Sequence, residues 1–242
     1  MANMIIRPAA GTGNKVIVQD QAGGAVLTTA DAGADIAMTV TGTGGIKSQQ
    51  VFTSSGTWTK PAGISTIKVY VTGSGGGGGA TNHDDMAPGG GAGATCIKII
   101  DVTSISSVAV TVGASVNGKG VDSPTPPVAG NSSSFGSHCT AAGGYTAGDN
   151  WALGGKGGTG SGGDVNITGG DGQGGLIDNT GNHQAGGTGG ASYWGSGGRG
   201  GTRAYNNGAR SGQTPGSGGG GGADSETGAS SAAGIVIVEE YR

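Results

Sequence analysis

Apolar and polar residues alternate along several short stretches of the chain, which is the period of a half-buried β-strand. In residues 66–72, Ile67, Val69 and Val71 fall on one face, whereas Lys68 and its alternating neighbours fall on the other. No stretch has a helical period. We therefore predict an all-β fold, a small antiparallel β-sandwich with Trp58 in its core. The strands are predicted at residues 51–53, 57–59, 66–72, 94–102, 107–112, 133–139 (the weakest signal) and 235–238.

Residues 1–50 carry weaker strand signals and few large apolar residues. Residues 16–18 and 25–27 flank a Gln-Ala-Gly-Gly turn and predict two short strands, and residues 36–40 predict another. A segment of this size usually needs partner chains to complete a core. We therefore expect a β-structured N-terminal attachment region at 1–50 that forms a homotrimer, ahead of a glycine-rich β-sandwich domain at 51–242.

Glycine replaces the strand signals between about residues 143 and 234. The chain has 60 glycines among 242 residues, gathered in runs at 75–79, 89–93, 154–163, 169–175, 186–190, 195–201 and 216–222. Gly-Gly-X triplets such as those in 154–159 suit an extended polyproline-type helix with three residues per turn. Each X then lies on one edge, and the bare glycine edges allow neighbouring chains to approach closely. Because the chain ends in a strong strand, we predict a packed polyglycine bundle rather than a flexible linker.

Bulk composition limits the classes of function. The formal net charge is −3, and no basic patch indicates nucleic-acid binding. No apolar run is long enough to span a membrane, and the first residues lack the apolar region of a signal peptide. Cys96 and Cys139 are expected to be two reduced, partly buried thiols, with a disulfide as the alternative. These features favour synthesis in a cytoplasm.

Few residues suggest chemistry, and none forms a convincing acid–base pair. Residues 113–120 come close to a phosphate-binding loop, but Gly120 stands where Ser or Thr is needed and no helix can follow. His83-Asp84-Asp85 could contribute to a metal site, although a solvated loop is the simpler interpretation. His138 and Cys139 are adjacent and therefore point to opposite faces of a strand. We expect no enzymatic activity and no cofactor.

Aromatic and asparagine side chains between the glycine runs are better candidates for a binding surface. Tyr and Trp supply rigid contact area with a polar handle, and they stack on sugar rings or protein surfaces. The alternative is that the Trp and Tyr side chains fold back over the glycine bundle. The candidate receptor-binding residues are Tyr145, Asn150, Trp151, Asn182, His183, Tyr193, Trp194, Tyr205 and Asn206.

The chain resembles the glycine-rich domain family of bacteriophage tail-fibre and virion proteins. The resemblance rests on the opening motif Phe-Thr-Ser-Ser-Gly-Thr-Trp-Thr-Lys-Pro-Ala-Gly at 52–63, which leads into a Val-rich strand and the glycine run at 75–79. It continues in Val-Thr-Val-Gly at 110–113, Ser-Ser-Phe-Gly at 133–136 and Gly-Ile-Val-Ile-Val at 234–238. The similarity covers about residues 51–242.

This resemblance implies a non-enzymatic virion protein, made in the host cytoplasm. The first expectation is a trimeric tail-fibre tip that recognises a host-surface saccharide or outer-membrane protein and joins other virion proteins through its N-terminal region. The alternative is a purely structural virion component, such as a head fibre, collar or capsid decoration protein. A bacterial surface adhesin is a third possibility, weakened by the missing signal peptide.

Overall fold

The protein was analysed as a computed structural model that describes residues 17–19, 25–28, 45–81, 86–121, 123, 128–147, 153–176, 185–202 and 208–242. The chain divides into two compact units, Met1–Thr43 and Gly44–Arg242. In the first unit, β1 (Ile17–Gln19) and β2 (Ala25–Thr28) form an antiparallel pair, which confirms the two short strands predicted there. The strand predicted at residues 36–40 lies outside the described residues.

The second unit contains two five-stranded antiparallel sheets, which confirms the all-β prediction. The first sheet has the order β10-β9-β8-β7-β4, and the second has the order β11-β6-β5-β12-β3. The strands are β3 (Ile46–Phe52), β4 (Gly56–Thr59), β5 (Thr66–Thr72), β6 (Thr95–Asp101), β7 (Ser107–Thr111), β8 (Ser133–Phe135), β9 (Cys139–Ala141), β10 (Gly160–Ser161), β11 (Val165–Ile167) and β12 (Ile235–Tyr241). The described residues include no helix, and hence none long and apolar enough to cross a membrane.

The two sheets face each other across a single apolar core. Alternation in β5 places Ile67, Val69 and Val71 in this core, each fully buried, as predicted from their spacing. Trp58 of β4 is also fully buried, and its ring centre lies 5.8 Å from that of Phe135 in β8. The prediction that Trp58 is a core residue is therefore confirmed.

Three details of the strands differ from the sequence prediction. Residues 133–139 form two strands, β8 and β9, because a turn at 136–138 with Gly136 at φ 52° separates them. Strands β10 and β11 lie within the glycine-rich region, where two or three residues are too few to show alternation. Strand β3 begins at Ile46, several residues before the predicted start.

The two cysteines are joined, so the prediction of reduced thiols is wrong. Cys96 in β6 and Cys139 in β9 form a disulfide with their Cα atoms 6.2 Å apart. Both residues are buried and point into the space between the sheets. Sequence spacing could not reveal this pairing, because the two strands belong to different sheets and meet only in the folded sandwich.

A buried carboxylate lies at the edge of the core. Glu240 of β12 is fully buried and accepts a hydrogen bond from Trp58 Nε1 at 2.8 Å. Gln50 Nε2 donates to the same carboxylate at 2.7 Å, and the Ser48 hydroxyl donates to its other oxygen. Buried charge is tolerated where hydrogen bonds replace water, and here three donors from two other strands do so.

Replacing Glu240 with alanine is expected to lower the free energy of unfolding by about 3 kcal/mol, because it leaves the buried Trp58 N–H and two partly buried donors without an acceptor. Glu239→Ala is the matched control on the same strand. The Glu239 carboxylate is only partly buried and accepts from the Tyr241 hydroxyl, so its loss should cost under about 1 kcal/mol. Urea denaturation of both variants measures the difference. Equal losses would mean that the buried network contributes nothing of its own.

Beyond the sheets, extended glycine-rich segments pack side by side as a bundle, as predicted. The segments are residues 73–81, 86–94, 113–119, 128–131, 142–147, 153–159, 168–176, 185–191, 196–202, 208–213, 216–223 and 226–234. Three of them, 73–81, 86–94 and 216–223, are buried at every position. Segment 86–94 is surrounded by six others through backbone hydrogen bonds: 73–81, 142–147, 153–159, 168–176, 185–191 and 216–223.

The hydrogen bonds of the bundle follow a period of three residues. Along segment 86–94, the N–H groups of residues 87, 90 and 93 donate to segment 216–223, those of 89 and 92 to segment 168–176, and those of 91 and 94 to segment 142–147. A polyproline-type helix repeats every three residues and makes no hydrogen bonds of its own. Packing in this array therefore satisfies the buried backbone groups that a single segment would leave unpaired.

Glycine is required where segments meet. A Cβ atom at Gly90 would lie 2.2 Å from the Gly76 carbonyl oxygen, and one at Gly157 would lie 1.8 Å from the Gly169 carbonyl oxygen. Lys156, the X residue beside Gly157, is exposed. This difference confirms the predicted arrangement, in which glycine edges face inward and X side chains face outward.

Candidate binding surfaces

The bundle has one end at the sheets and one end far from them. Segment 73–81 continues from β5, and segment 86–94 leads back into β6, so residues 81 and 86 lie at the far end. Bridges join Met86 to Ala223, Leu176 to Ala185, and Ala185 to Thr202 at this same end. The segments that lead into it therefore finish close together.

Most of the candidate receptor-binding residues fall between these segment ends. Asn150, Trp151, Asn182, His183, Tyr205 and Asn206 lie outside the described residues, as do the possible metal ligands His83, Asp84 and Asp85. The structure does describe the sequence that flanks them: Leu176, Ala185 and Thr202 lie near the far end of the bundle, and Ala147 lies near its middle, level with Gly77.

Large apolar side chains are exposed along the bundle from its middle to its far end. Tyr145 is 59% exposed, and its carbonyl accepts from Gly91 near the middle of segment 86–94. Val128 is exposed at a similar height, where its carbonyl accepts from Gly77. Toward the far end, Leu153 is 89% exposed and Leu176 is 70% exposed. An exposed apolar group gains nothing from folding, so several of them on one part of the surface indicate a contact surface.

Tyr193 and Trp194 lie at the opposite end, against the second sheet. They occupy a tight turn in which Ser192 and Gly195 exchange backbone hydrogen bonds. The ring centre of Trp194 is 4.9 Å from that of Tyr193 and 6.2 Å from that of Tyr70 in β5. Trp194 Nε1 donates to Thr72 Oγ1 at 2.9 Å. The pair therefore packs on the sheet, and Tyr193, which is 48% exposed, keeps one side open to solvent.

Trp194→Ala is expected to reduce the free energy of unfolding by about 2 kcal/mol, because both the ring contact with Tyr70 and the hydrogen bond to Thr72 are lost. Trp194→Phe keeps the ring and should recover about half of that loss. Tyr193→Ala is the control for a partly exposed ring and should cost less than about 1 kcal/mol. Denaturant titration measures all three. Wild-type stability of Trp194→Ala would refute a packing role.

A row of apolar side chains crosses the outer face of the second sheet. It runs through paired positions on all five strands: Val165, Ile97, Tyr70, Ile237 and Val51. Val51 and Val165 are each about half exposed, and Ile99 in the next row is 60% exposed. Among the described residues, the Tyr193–Trp194 turn covers the middle of the row, where both rings lie near Tyr70. This face was not recognised in the sequence. A signal for it was present, because β6 and β12 have apolar residues at consecutive positions and therefore on both faces of the sheet.

Charged groups border this apolar row. The Lys68 ammonium lies 4.9 Å from the centre of the Tyr70 ring, and hydrogen bonding with Tyr70 raises the pKa of Lys68 above its usual value. Tyr241 donates to Glu239 at 2.8 Å, and partial burial together with this bond raises the pKa of Tyr241. The border is therefore polar and of mixed charge, as is usual around a protein-contact face.

A groove with several polar side chains runs along the side of the bundle. It has a volume of about 420 Å³ and lies over segment 185–191, between segments 168–176 and 196–202. Its polar side chains are Asp171, Gln173, Thr188, Ser196 and Arg199. Sequence reasoning missed them, because each is an ordinary non-glycine position within a glycine run.

The remaining sequence candidates have structural roles. Residues 113–119 form an extended bundle segment rather than a phosphate loop, and the Lys119 N–H donates to the Gly78 carbonyl. Cys139 has no free thiol, because it is bonded to Cys96. Among the residues that the structure describes, no group of three or more His, Cys, Asp or Glu could hold a metal ion.

Comparison with known proteins identifies the family. No curated protein matches the chain at a significant level. A family model described as a glycine-rich domain matches residues 48–241, which include all of both five-stranded sheets except the first two residues of β3, together with the whole glycine bundle. The matched region thus coincides with the sandwich and bundle described above, and the chain belongs to this glycine-rich domain family.

Proposed function

We propose that the protein is a non-enzymatic component of a bacteriophage tail fibre and that the far end of its glycine bundle binds a receptor on the host surface. The observation that carries the proposal is the exposure of Leu153 and Leu176 toward the far end of the bundle, with Val128 and Tyr145 exposed nearer its middle. The similarity of the motif at 52–63 to phage fibre proteins supplies the biological setting.

The bundle suits this role because its backbone is held rigidly. Hydrogen bonds repeated every three residues connect each buried segment to its neighbours. Side chains at the segment ends are then presented on a support that loses little entropy on binding, which favours affinity. The connections at this end can vary in sequence without disturbing the backbone contacts beneath them.

The sequence candidates fit the same proposal. The connections that contain Asn150, Trp151, Asn182, His183, Tyr205 and Asn206 have most of their described flanks near the far end of the bundle. We further propose that the chain works as a homotrimer that joins other virion proteins through residues 1–50. Light scattering should then give three times the monomer mass, and a monomer at micromolar concentration would refute this oligomeric state.

Competition for host cells tests the receptor proposal. The double variant Tyr145→Ala/Leu153→Ala is expected to compete with phage about thirtyfold less well than wild type, the loss typical of one good contact residue. Ile99→Ala is the matched control, since Ile99 is 60% exposed but lies on the sheet. Thermal unfolding verifies that all variants are folded. Undiminished competition by the double variant would exclude these side chains from receptor binding.

A purely structural virion role is the second candidate. The apolar row on the second sheet favours it, because Val51, Ile99 and Val165 offer a face that another virion protein could cover. Antibody labelling of intact particles distinguishes the two roles. Label at the fibre tip supports receptor binding, and label on the capsid or collar supports a structural role.

A further inference from the structure

The groove on the side of the bundle has its shape because most residues on its floor have a very small side chain or none. Segment 185–191 forms the floor of the groove. Of the floor residues that line the groove, Thr188 has the largest side chain, whereas Gly189 and Ala191 leave the peptide planes uncovered. The neighbouring segments carry larger residues at the corresponding height: Asp171 and Gln173 on one side, and Arg199 on the other. The Gly-Gly-X pattern thus produces a flat floor between two polar walls.

The floor is held in place by the bundle. The Gln173 N–H donates to the Thr188 carbonyl at 2.8 Å, and the Gly189 N–H donates to the Gly198 carbonyl at 2.8 Å. Below it, the Gly190 N–H donates to the Gly90 carbonyl of a buried segment. The two wall segments and the floor segment are therefore fixed relative to one another before a ligand binds.

Donors and acceptors in the groove are available to a ligand. One Asp171 oxygen accepts from the Gly157 N–H at 2.8 Å, which orients the carboxylate and leaves its second oxygen free among the described residues. Within the same part of the chain, the Gln173 amide and the Arg199 guanidinium make no side-chain hydrogen bond to protein. Carboxylate, amide and guanidinium groups are planar and can each engage two neighbouring polar atoms.

We propose that this groove binds a sugar residue of a surface carbohydrate. Neighbouring hydroxyls on a sugar ring match planar groups that can donate or accept two hydrogen bonds at once. A flat glycine floor lets the ring lie close to the peptide planes. The charges of Asp171 and Arg199 balance, which favours a neutral polyol over a phosphate or another strong anion. Ala191 is the one lining residue with an apolar side chain, and the carbon surface of the groove comes mainly from glycine backbone and the stems of polar side chains.

This site is separate from the far end of the bundle and goes beyond the proposed receptor contact there. It does not require that contact to exist, because the groove lies between residues 170 and 199 on the bundle side. A carbohydrate held here would add a second point of attachment to a glycan-covered surface. Weak sugar binding gains much in avidity when several sites act together.

A printed array of bacterial surface oligosaccharides, probed with the full-length protein, tests the inference. The oligosaccharide that binds best is then titrated by calorimetry. Gln173→Ala/Arg199→Ala should weaken its affinity by about tenfold or more, since hydrogen bonds from a charged and a neutral group are lost. Thr188→Trp, which fills the groove, should abolish binding. Lys156→Ala, an exposed position on another segment, should bind as wild type.

The outcomes separate this inference from the receptor proposal. Binding of no oligosaccharide, or equal affinity of wild type and the groove variants, would overturn the sugar site. Loss of oligosaccharide binding in folded groove variants supports it, even if the Tyr145→Ala/Leu153→Ala variant still competes for host cells. In that case only the far-end receptor contact would be refuted.

Discussion

Gly90→Ala is expected to lower the melting temperature by about 10 °C, which corresponds to roughly 4 kcal/mol for a domain of this size. Gly90 lies in a segment enclosed by other segments, and its Cβ would approach the Gly76 carbonyl oxygen to 2.2 Å. The segments must separate to admit the methyl group, and several hydrogen bonds of about 1 kcal/mol each are then stretched or lost. Thermal unfolding followed by circular dichroism measures the effect.

Gly208→Ala is the matched control, because a Cβ at Gly208 meets no atom within 4 Å. Its melting temperature should stay within about 2 °C of wild type or rise slightly, as a glycine-to-alanine change reduces the entropy of the unfolded chain. A second pair, Gly157→Val and Lys156→Ala, repeats the contrast at an outer segment. If inward and outward substitutions had equal effects, the close packing of the bundle would be wrong.

Loss of the Cys96–Cys139 disulfide is expected to cost about 4 kcal/mol, since it closes a long loop in the unfolded chain. The two residues are 43 positions apart, and they connect strands of different sheets. The double variant Cys96→Ala/Cys139→Ala should therefore unfold at a much lower urea concentration than the oxidised protein. The measurement is the urea midpoint under non-reducing conditions.

Reduced wild-type protein serves as the control for this second prediction. After complete reduction it should unfold near the midpoint of the double variant, which separates loss of the bond from loss of the sulfur atoms. Titration of free thiols in the unfolded, unreduced protein provides an independent measurement. Two free thiols per chain, or a variant as stable as wild type, would contradict the disulfide.

Strong alternation made most of the sandwich predictable. Residues 66–72 were assigned as β5 with the correct inward face, and the terminal strand was found because Ile235 to Val238 form a run of β-branched residues. The sheet order was not predictable. Strand β12 pairs with both β5 and β3, and these contacts join residues far apart in sequence. Short β10 and β11 have too few residues for any periodicity.

The candidate surfaces were predictable only in part. Tyr145 and Tyr193 were predicted to bind a receptor, and both are exposed, but their role in binding stays a prediction. The contact of Trp194 with Thr72 joins residues 122 positions apart, so no local pattern could reveal it. The groove was hidden for a different reason: Asp171 and Arg199 become neighbours through segment packing, and the packing is determined by glycines that look alike in the sequence.

The threefold hydrogen-bond pattern also has a consequence for axial alignment. A glycine segment that slides by three residues presents the same donors to the same neighbours, so the bonding alone does not choose between these positions. Segments 73–81 and 86–94 are held in place because they continue directly into β5 and β6. Within the described part of the chain, segments 185–191 and 196–202 do not continue into a strand. The turn between them contacts the sheet through Trp194, which bonds Thr72, and through Tyr193, which packs near Tyr70. These two side chains are therefore expected to fix the axial position of both segments, and the loss of both would favour sliding in steps of one helical turn.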